Sequence, residues 1–286
     1  MILYKYLPPR LLDVLEHQTI RFTQPGDFND PFEFRPHIQA AASDPEALTF
    51  LERNLDRAVE DELAKYGALL QPGMPELLRR MVVANKVGVL DALKRLEPKV
   101  LDRLSPSIDA LLNEKIGVLC LSEAPDSILM WGHYTDNHQG YLIGFDSTNP
   151  FFSKQRTDQD EFGFLRRVDY RPLRPKVVLS DTSSPAWFQT KSDHWAYERE
   201  WRMLRVVSEA DSRIPAEPFP ICLFSFPADA VLQIIIGLRS TPSFVQRIET
   251  LTGRFKNATL LRAREDPLAY SLVIEEAGGQ LRAGST

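Results

Sequence analysis

The chain has 286 residues, of which 43% are hydrophobic and 26% are charged, and its formal net charge at pH 7 is -5. These fractions are typical of globular proteins, and the length suffices for one large domain or two small ones. The negative net charge argues against bulk affinity for nucleic acid, so any nucleic-acid binding would need a local basic patch.

The cysteines and the hydropathy pattern indicate the compartment. Cys120 and Cys222 each lie inside an apolar run, which is typical of buried, reduced cysteines rather than of a disulfide framework. The first ten residues lack the basic and apolar regions of a signal peptide. No stretch of the sequence approaches the roughly 20 apolar residues of a membrane span. We therefore expect a cytoplasmic protein that does not cross a membrane.

The predicted elements begin with short strands and turns. An apolar and aromatic run over 2–6 predicts a strand that stops at Pro8 and Pro9. Leucines at helical spacing over 10–17 predict a short helix, and the alternation over 19–23 predicts a second strand. Residues 24–34 have the composition of turns.

The middle of the chain predicts helices, and the remainder predicts mainly strands. Apolar side chains recur at helical spacing within 43–115, whereas short apolar runs follow from Gly117 onward. The sequence therefore predicts an α+β fold, a mixed β-sheet with a helical layer inserted between its first strands and its later strands. We expect one domain over 1–276, with the helical insert at about 43–115 and a disordered tail over 277–286.

A pair of glutamates, Glu198 and Glu200, is the sharpest chemical signal. The alternation over 197–207 predicts a strand that carries both, on which their carboxylates share a face and stand roughly 6.5 to 7 Å apart. Two carboxylates presented together can divide their work, one stabilising a cation and the other orienting a nucleophile. The alternative is an exposed strand face, on which the two glutamates pair with arginines of a neighbouring strand.

Two further segments carry polar side chains. His133 lies in an aromatic segment soon after Ser122, where it could act as a base or hydrogen-bond a ligand, or else simply satisfy a backbone carbonyl. The acids within 27–33 resemble a metal loop only loosely, because the regular ligand alternation of a calcium loop is missing. A self-bonded turn explains that segment better, and we expect no metal site.

Four segments together resemble a widespread bacterial family that is known only as a domain of unknown function. They are LYKY at 3–6, FTQPGDFNDPFE at 22–33, CLSEAPDSILMWGHYTDNHQGYLIGFD at 120–146 and WAYEREWR at 195–202. The resemblance spans nearly the whole chain, through its FNDPFE, MWxHY and YExEWR motifs, but implies no function by itself.

The order of elements also resembles that of the mono-ADP-ribosyltransferases. Those enzymes have an early strand with a polar residue that holds the nucleotide, then a strand that ends in serine or tyrosine. A short helix and a strand bearing two glutamates in an E-x-E pattern follow. Tyr4, Ser122 and the pair Glu198 and Glu200 occur here in that order. The resemblance implies an ADP-ribosyltransferase-like fold and NAD as co-substrate.

The same resemblance implies roles for individual residues. Glu200 would stabilise the oxocarbenium-like transition state, Glu198 would orient the acceptor and Ser122 would support Glu200. The cofactor-binding residues that it implies are Tyr4, Lys5, Arg10, His133 and Tyr134, with an aromatic ring such as that of Tyr134 stacking on nicotinamide. The first strand lacks the His or Arg that is usual in the family, so Lys5 or Arg10 would replace it.

Three functions follow as hypotheses. The first is an NAD-dependent ADP-ribosyltransferase or NAD glycohydrolase, for instance a toxin or defence effector. The second is a metal-dependent nuclease that uses Glu198, Glu200 and Lys191, and the third is a non-catalytic binding or regulatory module. The sequence does not identify the acceptor, which could be a protein, a nucleic acid or a small molecule. It also does not indicate a partner or the oligomeric state.

Overall fold

The computed structural model describes residues 1–35, 37–39, 60, 63–64, 70–85, 88, 109–155, 162–178 and 186–277. The chain divides into two compact units. The larger contains Met1–Phe34, Leu112–Leu173 and Phe188–Thr286, and the smaller contains Arg35–Leu111 and Arg174–Trp187.

Along the chain, short strands are interspersed with short helices. The described strands are β1 (Ile2–Leu7), β2 (Thr19–Phe22), β3 (His37–Gln39), β4 (Ile116–Ser122), β5 (Tyr141–Asp146), β6 (Arg166–Arg167), β7 (Asp169–Arg171), β8 (Lys176–Val178), β9 (Thr190–Ser192), β10 (Glu200–Val206), β11 (Ser212–Ile214), β12 (Ile221–Ser225), β13 (Val231–Ile236), β14 (Thr259–Glu265) and β15 (Leu272–Glu276). The described α-helices are α1 (Asp13–His17), α2 (Met74–Ala84), α3 (Ile128–Tyr134), α4 (Ala186–Gln189) and α5 (Pro242–Thr252), and residues 109–115 are also helical.

Eight strands form the main sheet, in the order β15-β14-β13-β5-β1-β4-β10-β6. β13 and β14 are parallel and are connected through α5, whereas β5 pairs with β1 and β13 in antiparallel fashion. Helix α5 begins at Pro242, because the Thr241 side chain caps the amide of Phe244 and proline suits the first helical position. The predicted α+β fold with a mixed sheet is confirmed.

The central strands of the main sheet are buried on both faces, which explains why they are almost wholly apolar. In β1, Leu3 and Leu7 belong to a core that also includes residues of the three-stranded sheet of β11, β12 and β2. Tyr4 and Tyr6 belong to a second core with Trp131 of α3. Because successive side chains of a strand point to opposite faces, α3 and the three-stranded sheet cover opposite sides of β1.

The strands β1 and β4 are paired at one position, Tyr4 opposite Ser122. By contrast, β1 pairs with β5 at six positions and β4 pairs with β10 at seven. Next to that single pair, the Lys5 side chain reaches across to β4, where its Nζ donates to the carbonyl of Cys120 at 3.2 Å. A gap therefore opens in the middle of the sheet, between two well-paired halves.

In the smaller unit, β3 and β8 pair in parallel, and α2 begins at Met74 with a proline in its first turn. Most of the predicted helical insert at 43–115, and 278–286 of the predicted tail, lie outside the described residues. The single-domain boundary at 1–276 therefore stays a prediction. Among the residues that the structure describes, no helix is both long and apolar enough to cross a membrane.

Candidate functional site

A cleft of about 450 Å³ opens at the gap between β1 and β4, and we call it the central cleft. Its floor includes side chains of these two strands, among them Lys5 and Cys120. One wall comes from helix α3 and another from the turn segment 27–29. The polar side chains that line it are Tyr4, Lys5, Tyr6, Thr23, Asp27, Asn29, His133, Tyr134, Lys191, Glu198 and Glu200.

Three of the residues singled out in the sequence lie in one row across the sheet. Tyr4 of β1 is the register partner of Ser122 of β4, and Ser122 is the register partner of Glu200 of β10. Register partners on neighbouring strands project from the same face of a sheet. Tyr4 packs in the core that contains α3, so the row faces α3. Ser122 does not line the central cleft, whereas Tyr4 and Glu200 do.

The prediction that Glu198 and Glu200 lie on one strand is wrong. Glu198 is the last residue of a 3-10 helix, Asp193–Glu198, and β10 begins only at Glu200. The intervening Arg199 has a left-handed backbone with φ 43°. A residue in that conformation turns the chain sharply, so the spacing of the two carboxylates no longer follows the rise of a strand.

Both carboxylates converge instead on the ammonium of Lys191. Its Nζ lies 2.6 Å from Oε2 of Glu198 and 3.0 Å from Oε2 of Glu200. All three side chains are buried, with at most 5% of any of them exposed. Charged groups are rarely buried unless they are paired, and here each carboxylate shares the same cation.

A second cation, Arg202, completes the pairing. Its Nε lies 2.7 Å from Oε1 of Glu200, and its Nη2 contacts a third buried carboxylate, that of Glu33. Its Nη1 donates to the carbonyl of Phe188 at 2.9 Å. Glu33 also lies 3.5 Å from the Lys191 Nζ. We call Glu33, Lys191, Glu198, Glu200 and Arg202 the buried charge cluster.

The cluster holds more acids than bases. With every group ionised, three carboxylates oppose two cations, which leaves one negative charge beside the cleft. Burial raises the pKa of Glu200, and the Lys191 ammonium opposes that rise. Burial alone would lower the pKa of Lys191, but the carboxylates of Glu200 and Glu198 together raise it above its ordinary value. Lys191 is therefore a permanent cation at neutral pH.

Tyr134 connects the buried charge cluster to the space of the central cleft. Its hydroxyl donates to Oε1 of Glu198 at 2.7 Å and accepts a longer contact, 3.5 Å, from Nδ2 of Asn29. Burial, and then the negative charge of Glu198, raise the pKa of the Tyr134 phenol. The phenol therefore keeps its proton and serves as a donor to Glu198.

The other predicted site residues divide between the cleft and its surroundings. Lys5 and His133 line the central cleft together with Tyr134, whereas Arg10 is exposed and is not among the lining residues. The Ser122 hydroxyl donates to the backbone carbonyl of Glu198 at 2.5 Å and accepts from the amide of Ala124. The serine thus supports the end of the 3-10 helix rather than the carboxylate of Glu200.

No sequence pattern assigned a role to Glu33 or to Arg202. Glu33 belongs to the segment that was interpreted as a turn, and the turn is real, because Asp30 accepts from the amides of Phe32 and Glu33. The same turn also carries Glu33 into the buried charge cluster. Among the described residues, no three His, Cys, Asp or Glu side chains are arranged to hold a metal ion.

Comparison with known proteins finds one partial match, in the region that carries the site. No curated protein and no solved structure matches the chain. One family model does match, over residues 130–203, a range that includes Tyr134, Lys191, Glu198, Glu200 and Arg202. That model is described as Protein of unknown function (DUF2971), and the match confirms the resemblance of this chain to a domain-of-unknown-function family.

Proposed function

We propose that the chain cleaves the bond between nicotinamide and ribose in NAD, as an ADP-ribosyltransferase or NAD glycohydrolase. The observation that carries the proposal is the row of Tyr4, Ser122 and Glu200 on three adjacent strands. The resemblance to the mono-ADP-ribosyltransferases assigns one functional residue to each of three strands, and these three strands are neighbours in register. An arrangement of that kind supports an ADP-ribosyltransferase-like site.

The size and the lining of the central cleft suit one half of a dinucleotide such as NAD. Small-molecule sites have volumes of about 300 to 1,000 Å³, with mostly apolar walls and a few convergent polar groups. The central cleft has about 450 Å³, and Phe28, Met130 and Tyr134 give it apolar and aromatic walls. Lys5 supplies a cation within the same cleft, which suits the pyrophosphate of NAD.

The chemistry needs negative charge where a cation develops. When the glycosidic bond breaks, its electron pair leaves with nicotinamide, which becomes neutral, and the ribose carbon becomes cationic. Glu200 would stabilise this cation, because the buried charge cluster carries one more carboxylate than cations. Water or another acceptor then forms a bond to the ribose carbon and loses its proton.

The test is the release of nicotinamide from NAD by the full chain. Glu200→Gln keeps the shape and a hydrogen-bonding oxygen but removes the charge, so we expect the rate to fall about 10²- to 10³-fold. Binding of NAD should survive, since the lost interaction belongs mainly to the transition state. Glu198→Gln should reduce transfer to an acceptor more than hydrolysis, because water needs less orientation than a specific acceptor.

The matched control is Glu249→Gln, the same chemical change at an exposed position of α5. It should leave nicotinamide release unchanged. Thermal melts establish that each variant is folded. Wild-type protein that neither binds NAD nor releases nicotinamide would overturn the proposal, and so would a Glu200→Gln variant with full activity.

A further inference from the structure

We infer that the Tyr134 hydroxyl passes the proton of the attacking acceptor to Glu198. The inference rests on the proposed function and assigns a new role within the same site. Both oxygens of the Glu198 carboxylate already have partners. Oε1 accepts from the Tyr134 hydroxyl at 2.7 Å and Oε2 pairs with Lys191 at 2.6 Å.

Because of these two contacts, the Tyr134 hydroxyl and not the Glu198 carboxylate faces the acceptor. Both side chains line the central cleft, but only 4% of the Glu198 side chain is exposed, whereas Tyr134 is only partly buried. An acceptor that enters the cleft therefore meets the phenol oxygen before it meets the carboxylate. The phenol proton points to Glu198, and one lone pair of that oxygen takes the long, 3.5 Å contact from Nδ2 of Asn29. The other lone pair is left to accept the hydrogen of an incoming O–H group.

The proton transfer balances without any further reactant. As the acceptor oxygen forms its bond to the ribose carbon, its proton moves to the oxygen of Tyr134. The phenol proton moves at the same time to Oε1 of Glu198, so Tyr134 ends as it began and Glu198 becomes a neutral carboxylic acid. Lys191 holds Oε2, which leaves Oε1 as the oxygen that receives the proton. Glu198 later releases the proton to solvent.

This role differs from ring stacking on nicotinamide, which the family resemblance implies for Tyr134. Tyr134→Phe keeps the ring and removes only the hydroxyl, so stacking alone predicts unchanged activity. A relay predicts a fall in kcat of roughly 10²-fold, the usual lower range for general acid–base catalysis, with little change in KM for NAD. Tyr197→Phe is the matched control, because Tyr197 packs against Trp195 and is not among the residues that line the cleft.

A double-mutant cycle tests whether Tyr134 and Glu198 act as one unit. We expect Tyr134→Phe combined with Glu198→Gln to be no slower than the slower single variant, because residues that act in one chain of transfers give non-additive losses. Losses that multiply would overturn the relay. A wild-type proton inventory in mixed H2O and D2O should show two protons in transfer, and a linear inventory would also overturn it.

The outcomes separate the relay from the proposed function. Wild-type protein that releases no nicotinamide contradicts the proposed function itself. Wild-type protein that is active, together with an equally active Tyr134→Phe variant, contradicts the relay alone. Thermal melts of each variant establish that a fall in kcat comes from chemistry and not from unfolding.

Discussion

The hydroxyl of Ser122 donates a 2.5 Å hydrogen bond to the backbone carbonyl of Glu198, 76 residues further along the chain. The same hydroxyl accepts from the amide of Ala124, so it joins the end of β4 to the end of the 3-10 helix. Both glutamates of the E-x-E motif depend on this junction, because Glu200 also pairs with Ser122 in the strand register. Ser122 is thus a positioning residue.

Ser122→Ala should therefore cost stability as well as rate. It leaves a buried carbonyl and a buried amide without their partner, and each such loss typically costs about 1 to 3 kcal/mol. Urea unfolding should show this loss, while kcat for nicotinamide release should fall less than in Glu200→Gln. Ser212→Ala, at an exposed position of β11, should change the stability by less than about 0.5 kcal/mol. A Ser122→Ala protein as stable as the wild type would contradict the structural account.

Lys191→Met tests the buried charge cluster directly. It removes a cation shared by Glu198 and Glu200 and leaves carboxylates buried with less compensation. Breaking a buried pair in this way typically destabilises a protein by about 3 to 5 kcal/mol. The loss should shrink as the pH is lowered, because the carboxylates can then take up protons. Lys256→Met, at an exposed position, is the control and should leave urea unfolding unchanged.

The pKa of Glu200 predicts a pH dependence of stability. Burial raises that pKa in the folded state, above a value near 4.3 in the unfolded chain. The folded state therefore binds more protons in the window between the two values. The contribution of Glu200 to stability is fully present below about pH 4.3 and is lost as the pH rises through the folded pKa.

Urea unfolding of the wild type and of Glu200→Gln between about pH 4 and about pH 8 measures this contribution. The free energy of unfolding of the wild type minus that of the variant should decrease with increasing pH. Taking the difference removes the effect of the carboxylates outside the buried charge cluster, whose environment the substitution leaves alone. A difference that is constant, or that increases with pH, would show that Glu200 does not titrate as its burial requires.

The sequence could predict the elements of the site from apolar runs, but not the positions that depend on a local backbone turn or on a contact between distant segments. The strands and α3 follow from apolar runs, and Tyr4, Ser122 and Glu200 could be selected through the resemblance of their order to that in the mono-ADP-ribosyltransferases. The place of Glu198 could not, because the left-handed backbone of Arg199 breaks a spacing that otherwise indicates a strand. Glu33 could not either, since its turn has an ordinary composition and only the fold brings it to Lys191.

Lys5→Met tests the binding of the pyrophosphate. Lys5 is the cation of the cleft floor, and its Nζ already donates to a backbone carbonyl, so it is held in place before a ligand arrives. A hydrogen bond to a charged group is worth about 1.5 to 3 kcal/mol, so the Kd for NAD should rise about 10- to 100-fold. Titration calorimetry measures the change. Arg10→Met should leave the Kd unchanged, because Arg10 is exposed and does not line the cleft.

Cys120 lies in the floor of the central cleft. The reactivity of its thiol therefore measures the electrostatics of the site in the absence of substrate. Burial, and then the negative charge of Glu200, raise the pKa of its thiol well above the usual value. Because the thiolate is the reactive form, iodoacetamide should label Cys120 very slowly at neutral pH in the native protein and rapidly in urea. In a Cys222→Ser background, Cys120 is the cysteine whose labelling is measured. Glu200→Gln in that background should accelerate native labelling, since it removes the charge that opposes thiolate formation. Rapid labelling of the native wild-type thiol, or no acceleration in the folded variant, would contradict the arrangement of Cys120 beside Glu200.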